Sequence, residues 1–546
     1  MIKRVLHKKT HTIGLAALII GCSSVVSALL GLIRDRLLAG RFGAGIELDI
    51  YYSAFRIPDL VFGILVSGGI VAAFLPVFSE YYGKDKEKAW ELTSNALNVF
   101  LLFSIILCGI LAIFTPQLMK LIVPGFNIEQ QTMAVVLTRI IFLSPIFFGI
   151  SNIFSSILHY FNHFIAYSLA PILYNIGIII GILFFVPLFG ITGLAYGVVL
   201  GVLMHWLIQI PSVLINGFKY KPIFNLKSKG LKKIVYLMVP RTISAVINNF
   251  NLIIVTAIAS TIGIGNISIF NFSDHLRYLP ITVIGGAFAV AAYPFMAKAW
   301  ADGEKHMFFS NIIRAFKQSL FLIVPLSVLT LLLRAQIVRI ILGTGKFGWL
   351  ETQLTAACLG IFAISIFAYA LVPFLVRIFF SIHNTKIPLL VSILTLGISI
   401  ILCFVLVNVM SGVNWFSTIM ANLWKIQNID NISIIGLPLA ITFSGIIQVL
   451  MLIAFLKRKL KEFPIKDIYN SFIKILFASI IMGGITYLCL YGFSLVFNTS
   501  TFVGILLQAG ISGLIGILVY LILSYFLKIQ EVYLIKNMLS RGGKID

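Results

Sequence analysis

Acidic residues are scarce. Only 18 Asp and Glu stand against 41 Lys and Arg in 546 residues, and charged residues of both signs make up 11%. A water-soluble domain carries about 25%, so this composition excludes one. The five cysteines, Cys22, Cys108, Cys358, Cys403 and Cys489, stand singly in apolar runs. That spacing excludes a disulfide framework and a cysteine metal centre, and leaves small buried hydrophobes. There is no HExxH and no Ser/His/Asp setting for nucleophilic catalysis. The GTGKFG stretch at 343–348 lacks the spacing and the hydroxyl residue of a phosphate-binding loop. The chain therefore reads as neither an enzyme nor an ATPase, with no bound cofactor and no metal.

What the chain has in excess is apolar sequence. Hydrophobic residues make up 60%, including 46 Phe and 19 Tyr, and the mean hydropathy is +1.05. A membrane-spanning helix needs about 20 apolar residues. By that rule about fourteen spans are expected, near 12–39, 48–80, 90–115, 131–160, 165–188, 191–215, 231–261, 266–297, 308–333, 350–381, 386–410, 432–456, 469–493 and 501–527. The first is basic and then apolar, but no cleavage site precedes a polar domain, so it reads as a retained span. The expected fold class is an all-α polytopic membrane protein.

The net charge of +23 lies mostly in loops. Of the 41 Lys and Arg, 25 fall in loops on one side, six on the other, and ten within or at the edges of spans. Positive loops stay inside, which puts both termini in the cytoplasm and requires an even number of spans. Charge arranged this way answers to a membrane, not to nucleic acid.

The chain also repeats. GGIVAAFLPVFSEYYGKDKEK (68–88) resembles GAFAVAAYPFMAKAWADGEKH (286–306), and SSILHYFNHFIAYS (155–168) resembles VRIFFSIHNTKIPL (376–389), with Asn162 over Asn384. GITGLAYGVV (190–199) resembles SIIGLPLAIT (433–442) at a larger offset, which an outer-side insertion at 411–431 accounts for. The expected organisation is two parallel six-helix repeats plus a C-terminal helix pair. The divisions are an N-terminal bundle at 1–216, a basic cytoplasmic linker at 217–233, a C-terminal bundle at 234–456, and an appended pair with a basic tail at 457–546. Parallel repeats of this kind build transporters with a midplane site.

Six charges interrupt the first two spans: Arg34, Asp35, Arg36, Asp49, Arg56 and Asp59. Each costs about 2.5–3.5 kcal/mol at membrane depth on insertion scales, so pairing, water or a charged ligand must offset it. Apolar Leu37, Leu38 and Ala39 follow before the turn at 40–45, which sets Arg34 and Asp35 inward of the helix end. Asp49 opens the second span and is placed to cap it. Pro58 kinks that span between Arg56 and Asp59, and Gly68 and Gly69 extend the hinge. The second half repeats the theme, with Asp274, His275 and Arg277 ahead of Pro280. Arg241 follows Pro240 in the seventh span, ahead of Asn248, Asn249 and Asn251, which read as glue between helices. The candidate binding residues are thus Arg34, Asp35, Asp49, Arg56, Arg241, His275 and Arg277. The hinge candidates are Pro58, Gly68, Gly69 and Pro280. The excess charge inside the membrane is positive, which suits an anion: Arg forks bind carboxylate and phosphate groups by charge-assisted bonds.

The run LGLIRD, FGAG, LD-x-Y-x-x-AFRIPDL and SGG-x-x-x-AFLPVFSEY resembles the amino-terminal signature of the MurJ/MviN lipid II flippases. These belong to the multidrug/oligosaccharidyl-lipid/polysaccharide exporter superfamily. The resemblance covers nearly the whole chain. It implies movement of undecaprenyl-pyrophosphate-linked peptidoglycan precursor from the inner to the outer leaflet of a bacterial cytoplasmic membrane. It also implies a cationic cavity, alternating access, drive by membrane potential or a cation gradient, and cell-wall synthesis proteins as partners beside membrane lipids. The family's central arginine and aspartate match Arg34 and Asp35, and its acid after FGAG matches Asp49. The chain departs from the family at Ala28, Phe62 and Ser67, where charged residues often stand. The alternatives are a flippase for another polyprenyl-linked saccharide, a drug or cation exporter, and a membrane scaffold for cell-wall enzymes.

Overall fold

The structure is a computed structural model, and it describes residues 13–67 and 70–532. Every regular element among them is helical. Ten helices are long and apolar enough to cross a membrane, or eleven if one bent pair counts as a single span. That pair is Trp349–Ala363 and Ile366–Ser381, bent by 45°. Three other expected stretches are helical as well, and they carry much of the intramembrane charge. Ile13–Phe42 carries Arg34, Asp35, Arg36 and Arg41. The second stretch is divided into Ile46–Ala54, Arg56–Phe62, a π-helical Gly63–Ser67 and Ile70–Lys84. Lys229–Ile262 opens with Lys229, Lys232 and Lys233 ahead of its apolar run.

The chain divides into two compact units, Met1–Ser268 and Ile269–Asp546, with the boundary inside the Asn266–Pro280 helix. In the first unit, Ile13–Phe42 ends at Gly43, whose φ of 66° reverses the chain before Ile46. The break at Phe55 lies one turn before Pro58, as expected when a proline ring clashes with the carbonyl four residues back. Asp85 caps the 37-residue Lys86–Ile122 helix by accepting from the Glu87 and Lys88 N–H groups. Phe164–Ile180 and Thr192–Leu207 meet through glycines: a Cβ on Gly177 would stand 2.2 Å from the Gly201 Cα. Small residues let helices approach closely where no hydrophobic force drives them together. An aromatic cluster of Phe78, Tyr82, Trp90, Tyr160, Phe161 and Phe218 closes one end of this unit.

The basic stretch after residue 216 is strapped down. Asn95 donates to the Asn225 carbonyl at 2.9 Å and accepts from the Asn225 N–H at 2.6 Å, while Asn98 donates to the Ile223 carbonyl at 2.8 Å. Lys221 bridges Glu87 and Glu91 at 2.8 and 3.0 Å. Helix begins again at Lys229, within the expected linker.

The second unit places a π-helical Ile281–Gly286 after Pro280, much as Gly63–Ser67 follows Pro58. Ile465–Ser494 and Phe502–Phe526 share its core, with Ile475, Met482 and Tyr520 packed in one cluster with Ile312, Phe316 and Phe374. Tyr520 also donates to the Phe321 carbonyl at 2.8 Å. The 411–431 segment carries a helix that its loop-like composition hides, Trp415–Trp424, opened by an Asn414–Ser417 capping box.

Candidate functional site

The first unit sets Asp35, Asn175 and three tyrosines around Arg34. This residue lies two turns before the end of Ile13–Phe42, which is the inward placement expected from its apolar neighbours. Its Nε and Nη2 donate to Asp35 Oδ1 at 3.0 and 2.9 Å, and its Nη1 donates to Asn175 Oδ1 at 3.3 Å. Asn175 is itself fixed, because its Nδ2 donates to the Ser27 carbonyl, the Ser27 Oγ and the Pro171 carbonyl, each at 3.2 Å. A guanidinium has five N–H donors, so two remain. The Arg34 side chain keeps 20% exposure, against 5% for Asp35. The arrangement is an arginine held from behind, with donors still available in front.

Tyr51, Tyr52 and Tyr174 lie close enough to feel the Arg34 charge, and Tyr52 also feels Asp35 and Arg56. Arg56 is buried and donates from Nε to the Thr256 Oγ at 2.6 Å. Asn249 donates to the Asp59 carbonyl at 3.2 Å, and Thr242 donates to the Ile64 carbonyl at 3.3 Å in the π-helical segment. The polar residues of Lys229–Ile262 thus satisfy carbonyls in the broken second stretch, as membrane depth requires. Pro58 is buried within that stretch.

Asp49 differs from its expected place. It does not cap its own helix, whose N-cap is Gly45. Its Oδ2 accepts from the Gly265 N–H at 2.6 Å, and its Oδ1 accepts from the Ser268 N–H at 2.8 Å and the Ser268 Oγ at 2.6 Å. With 0% exposure, it caps the helix beginning at Asn266, where the free N–H groups and the helix dipole favour a carboxylate. Both oxygens are engaged and neither faces open space. Arg34, Asp35 and Arg56 share one neighbourhood of tyrosines; Asp49 serves a different one.

In the second unit, Arg277 pairs with Asp274 across one helical turn, Nε to Oδ1 at 2.7 Å. The N–H is not aimed along that line, so the contact is an ion pair without hydrogen-bond geometry. The guanidinium carbon lies 4.0 Å from the Phe362 ring centre and 4.7 Å from that of Tyr369. Paired on one edge and faced by two rings, Arg277 is 5% exposed. His275 is half-buried on the same helix, and Pro280 is its last residue. Arg241 lies on Lys229–Ile262 with its side chain outside the described residues, and Gly68 and Gly69 also lie outside them.

Asn175, Thr256 and Ser268 hold Arg34, Arg56 and Asp49, yet lie 141, 200 and 219 residues away from them in sequence. A polar residue in an apolar run was the available signal: Asn175 is the one amide side chain in the largely apolar Phe164–Ile180. Among the described residues, no three His, Cys, Asp or Glu side chains group to hold a metal ion.

A family model described as lipid II flippase MurJ matches residues 38–508. The probable lipid II flippase MurJ of Buchnera aphidicola subsp. Schizaphis graminum is 28% identical over 490 residues, covering 86% of this chain and 94% of the relative. A solved structure of lipid II flippase MurJ in its inward closed conformation aligns with a TM-score of 0.73 at 26% identity, covering 94% of this chain and 99% of that one. An inward-facing multidrug resistance MATE family transporter of the MOP superfamily aligns with a TM-score of 0.65 at 15% identity, covering 80% of this chain and 95% of that one. At that identity the likeness is one of fold.

Proposed function

Since this chain belongs to the lipid II flippase MurJ family, we propose that it moves lipid II from the inner to the outer leaflet of a bacterial cytoplasmic membrane for peptidoglycan synthesis. The observation that carries the reading is Arg34. Its guanidinium is oriented by Asp35 and Asn175, keeps two donors unused, and remains partly open. A pyrophosphate offers oxygens to that fork, and the low dielectric around it strengthens each bond. Asp35 holds the arginine and offsets its charge, and the tyrosine hydroxyls nearby suit a polar headgroup.

The proposed organisation has fourteen spans in two parallel repeats with an appended pair, both termini in the cytoplasm, and access that alternates under membrane potential or a cation gradient. Supporting the repeats, a π-helical segment follows the proline-bearing second stretch of each, and left-handed residues, Asn162 and His383, close Leu143–Tyr160 and Ile366–Ser381. π-Helical segments recur at functional bends. The role is transport without covalent chemistry, and the partner is the lipid-linked precursor.

The test is complementation of a bacterium depleted of its own flippase, with cytoplasmic-leaflet lipid II measured directly. The wild-type chain should clear the accumulated lipid and Arg34→Glu should not, at equal membrane insertion. Rescue by Arg34→Glu would refute the assigned role of the arginine, and failure of the well-inserted wild type would refute the function.

A further inference from the structure

A cavity with charged residues in its lining lies at one end of the second unit. It encloses about 640 Å³ between the start of Lys305–Leu332 and the chain just after Phe502–Phe526. Its lining includes His306, Ser310, Arg314 and Lys317 from the first of these, and Gln530 and Glu531 from the second. Spacings of four, four and three residues set those helical side chains on one face. The opposite face, with Phe308, Ile312 and Phe316, is buried in the core.

The charges are out of place for an ordinary helix end. Arg314 and Lys317 follow Lys305 by nine and twelve residues, about 14 and 18 Å along the axis. The helix is otherwise apolar enough to span a membrane. Neither cation forms an ion pair among the described residues, and neither does Glu531. Yet Glu531 is only 7% exposed and lines the cavity. A carboxylate withdrawn from water is costly unless a cation meets it. The cavity therefore offers two cations to an anion and one buried anion to a cation.

We infer that this cavity binds the zwitterionic phosphoethanolamine headgroup of a membrane phospholipid, with the phosphate on Arg314 and Lys317 and the ammonium on Glu531. Glycerol headgroups supply no cation and leave Glu531 unpaired. The acyl chains have a path at hand: Leu518, Ile522 and Phe526 form an exposed apolar stripe at i, i+4 and i+8 that ends four residues before Gln530. On the proposed orientation this end is cytoplasmic, so the site would hold an inner-leaflet lipid.

The test is native mass spectrometry of the full-length protein, titrated with phosphatidylethanolamine and phosphatidylglycerol of matched chains. Phosphatidylethanolamine should bind at least about tenfold more tightly, the loss expected for one missing charge-assisted bond. Arg314→Gln with Lys317→Gln should weaken it by at least that factor. Glu531→Gln should abolish the preference between the two lipids while retaining binding. Equal binding of both lipids by the wild type overturns the inference, as does a double variant of unchanged melting temperature that binds phosphatidylethanolamine normally. If the double variant melts early, the Glu531→Gln comparison decides, and a preference that survives it overturns the inference. Competition by glycerophosphoethanolamine at the lipid's own concentration would assign the site to a soluble headgroup and overturn the lipid reading.

Discussion

Asp49→Asn removes one of two carboxylate oxygens from a fully buried cap. Three donors converge on the native group: the Gly265 N–H, the Ser268 N–H and the Ser268 hydroxyl, all within 2.6–2.8 Å. The amide can accept on one side only, and its NH2 must face a backbone N–H on the other. Losing one charge-assisted bond and leaving its donor unmet costs about 2–4 kcal/mol. At about 1.4 kcal/mol per factor of ten, local opening at residues 263–268 should rise about 30- to 1,000-fold. Hydrogen–deuterium exchange of detergent-solubilised protein reads this directly. Peptides over 263–268 should lose protection in the variant, while peptides over Leu143–Tyr160 in the same unit should not change. Unchanged exchange over 263–268 would refute the capping role. A rise of equal size across the whole unit would mean general destabilisation and would also refute it.

Asn175→Ala removes the second acceptor on Arg34; lipid II translocation in a liposome assay should fall about tenfold, as for the loss of one charge-assisted bond, with the fold retained, and unchanged rates would count against Asn175 as the orienting group. Gly177→Val forces a side chain into the Gly201 backbone, and overpacking of roughly 1–3 kcal/mol should lower the melting temperature in detergent; an unshifted melt would refute the close crossing. The Asp85 carboxyl is held below the usual carboxylate range, first by the Lys88 backbone N–H and then by that of Glu87. A depressed acid contributes stability that is present above its unfolded value and is lost as pH falls through the lower folded one. Melting temperature should therefore decline below the usual carboxylate range, and Asp85→Asn, still a good cap, should lessen that decline; an identical profile in the variant would refute the assignment.

How legible each residue was depended on how far away its partner lay. Arg34 and Asp35 stood out because charge in an apolar run is costly, and the apolar residues after them showed that the helix continued. Pro58 announced a break in its span, and the break falls at Phe55, one turn earlier, where the ring meets the preceding carbonyl. Asp49 was visible as an acid at a helix start, but local spacing pointed to its own helix. The free N–H groups it satisfies belong to residues 216 and 219 positions later. Arg277 resembled a cavity charge by analogy with the first half, whereas two rings and Asp274 enclose it. The 411–431 stretch was expected only as an outer-side insertion, and a capping box starts a ten-residue helix there.

Composition and hydropathy alone were enough to expect an all-helical membrane protein, because lipid admits only helices and closed barrels, and continuous apolar runs of about 20 residues fit helices. The order of residues was enough to place costly charge in the first two spans and to carry the family resemblance. Only the tertiary structure decided what each charge does. Arg34 stays partly open because Asn175 and Asp35 hold it from one side, Arg56 is tied to Thr256, and Asp49 is consumed as a cap. Those outcomes depend on which distant carbonyls, hydroxyls and N–H groups folding brings within about 3 Å, the reach of a hydrogen bond, and that reach is set by helix packing rather than by neighbours in the chain.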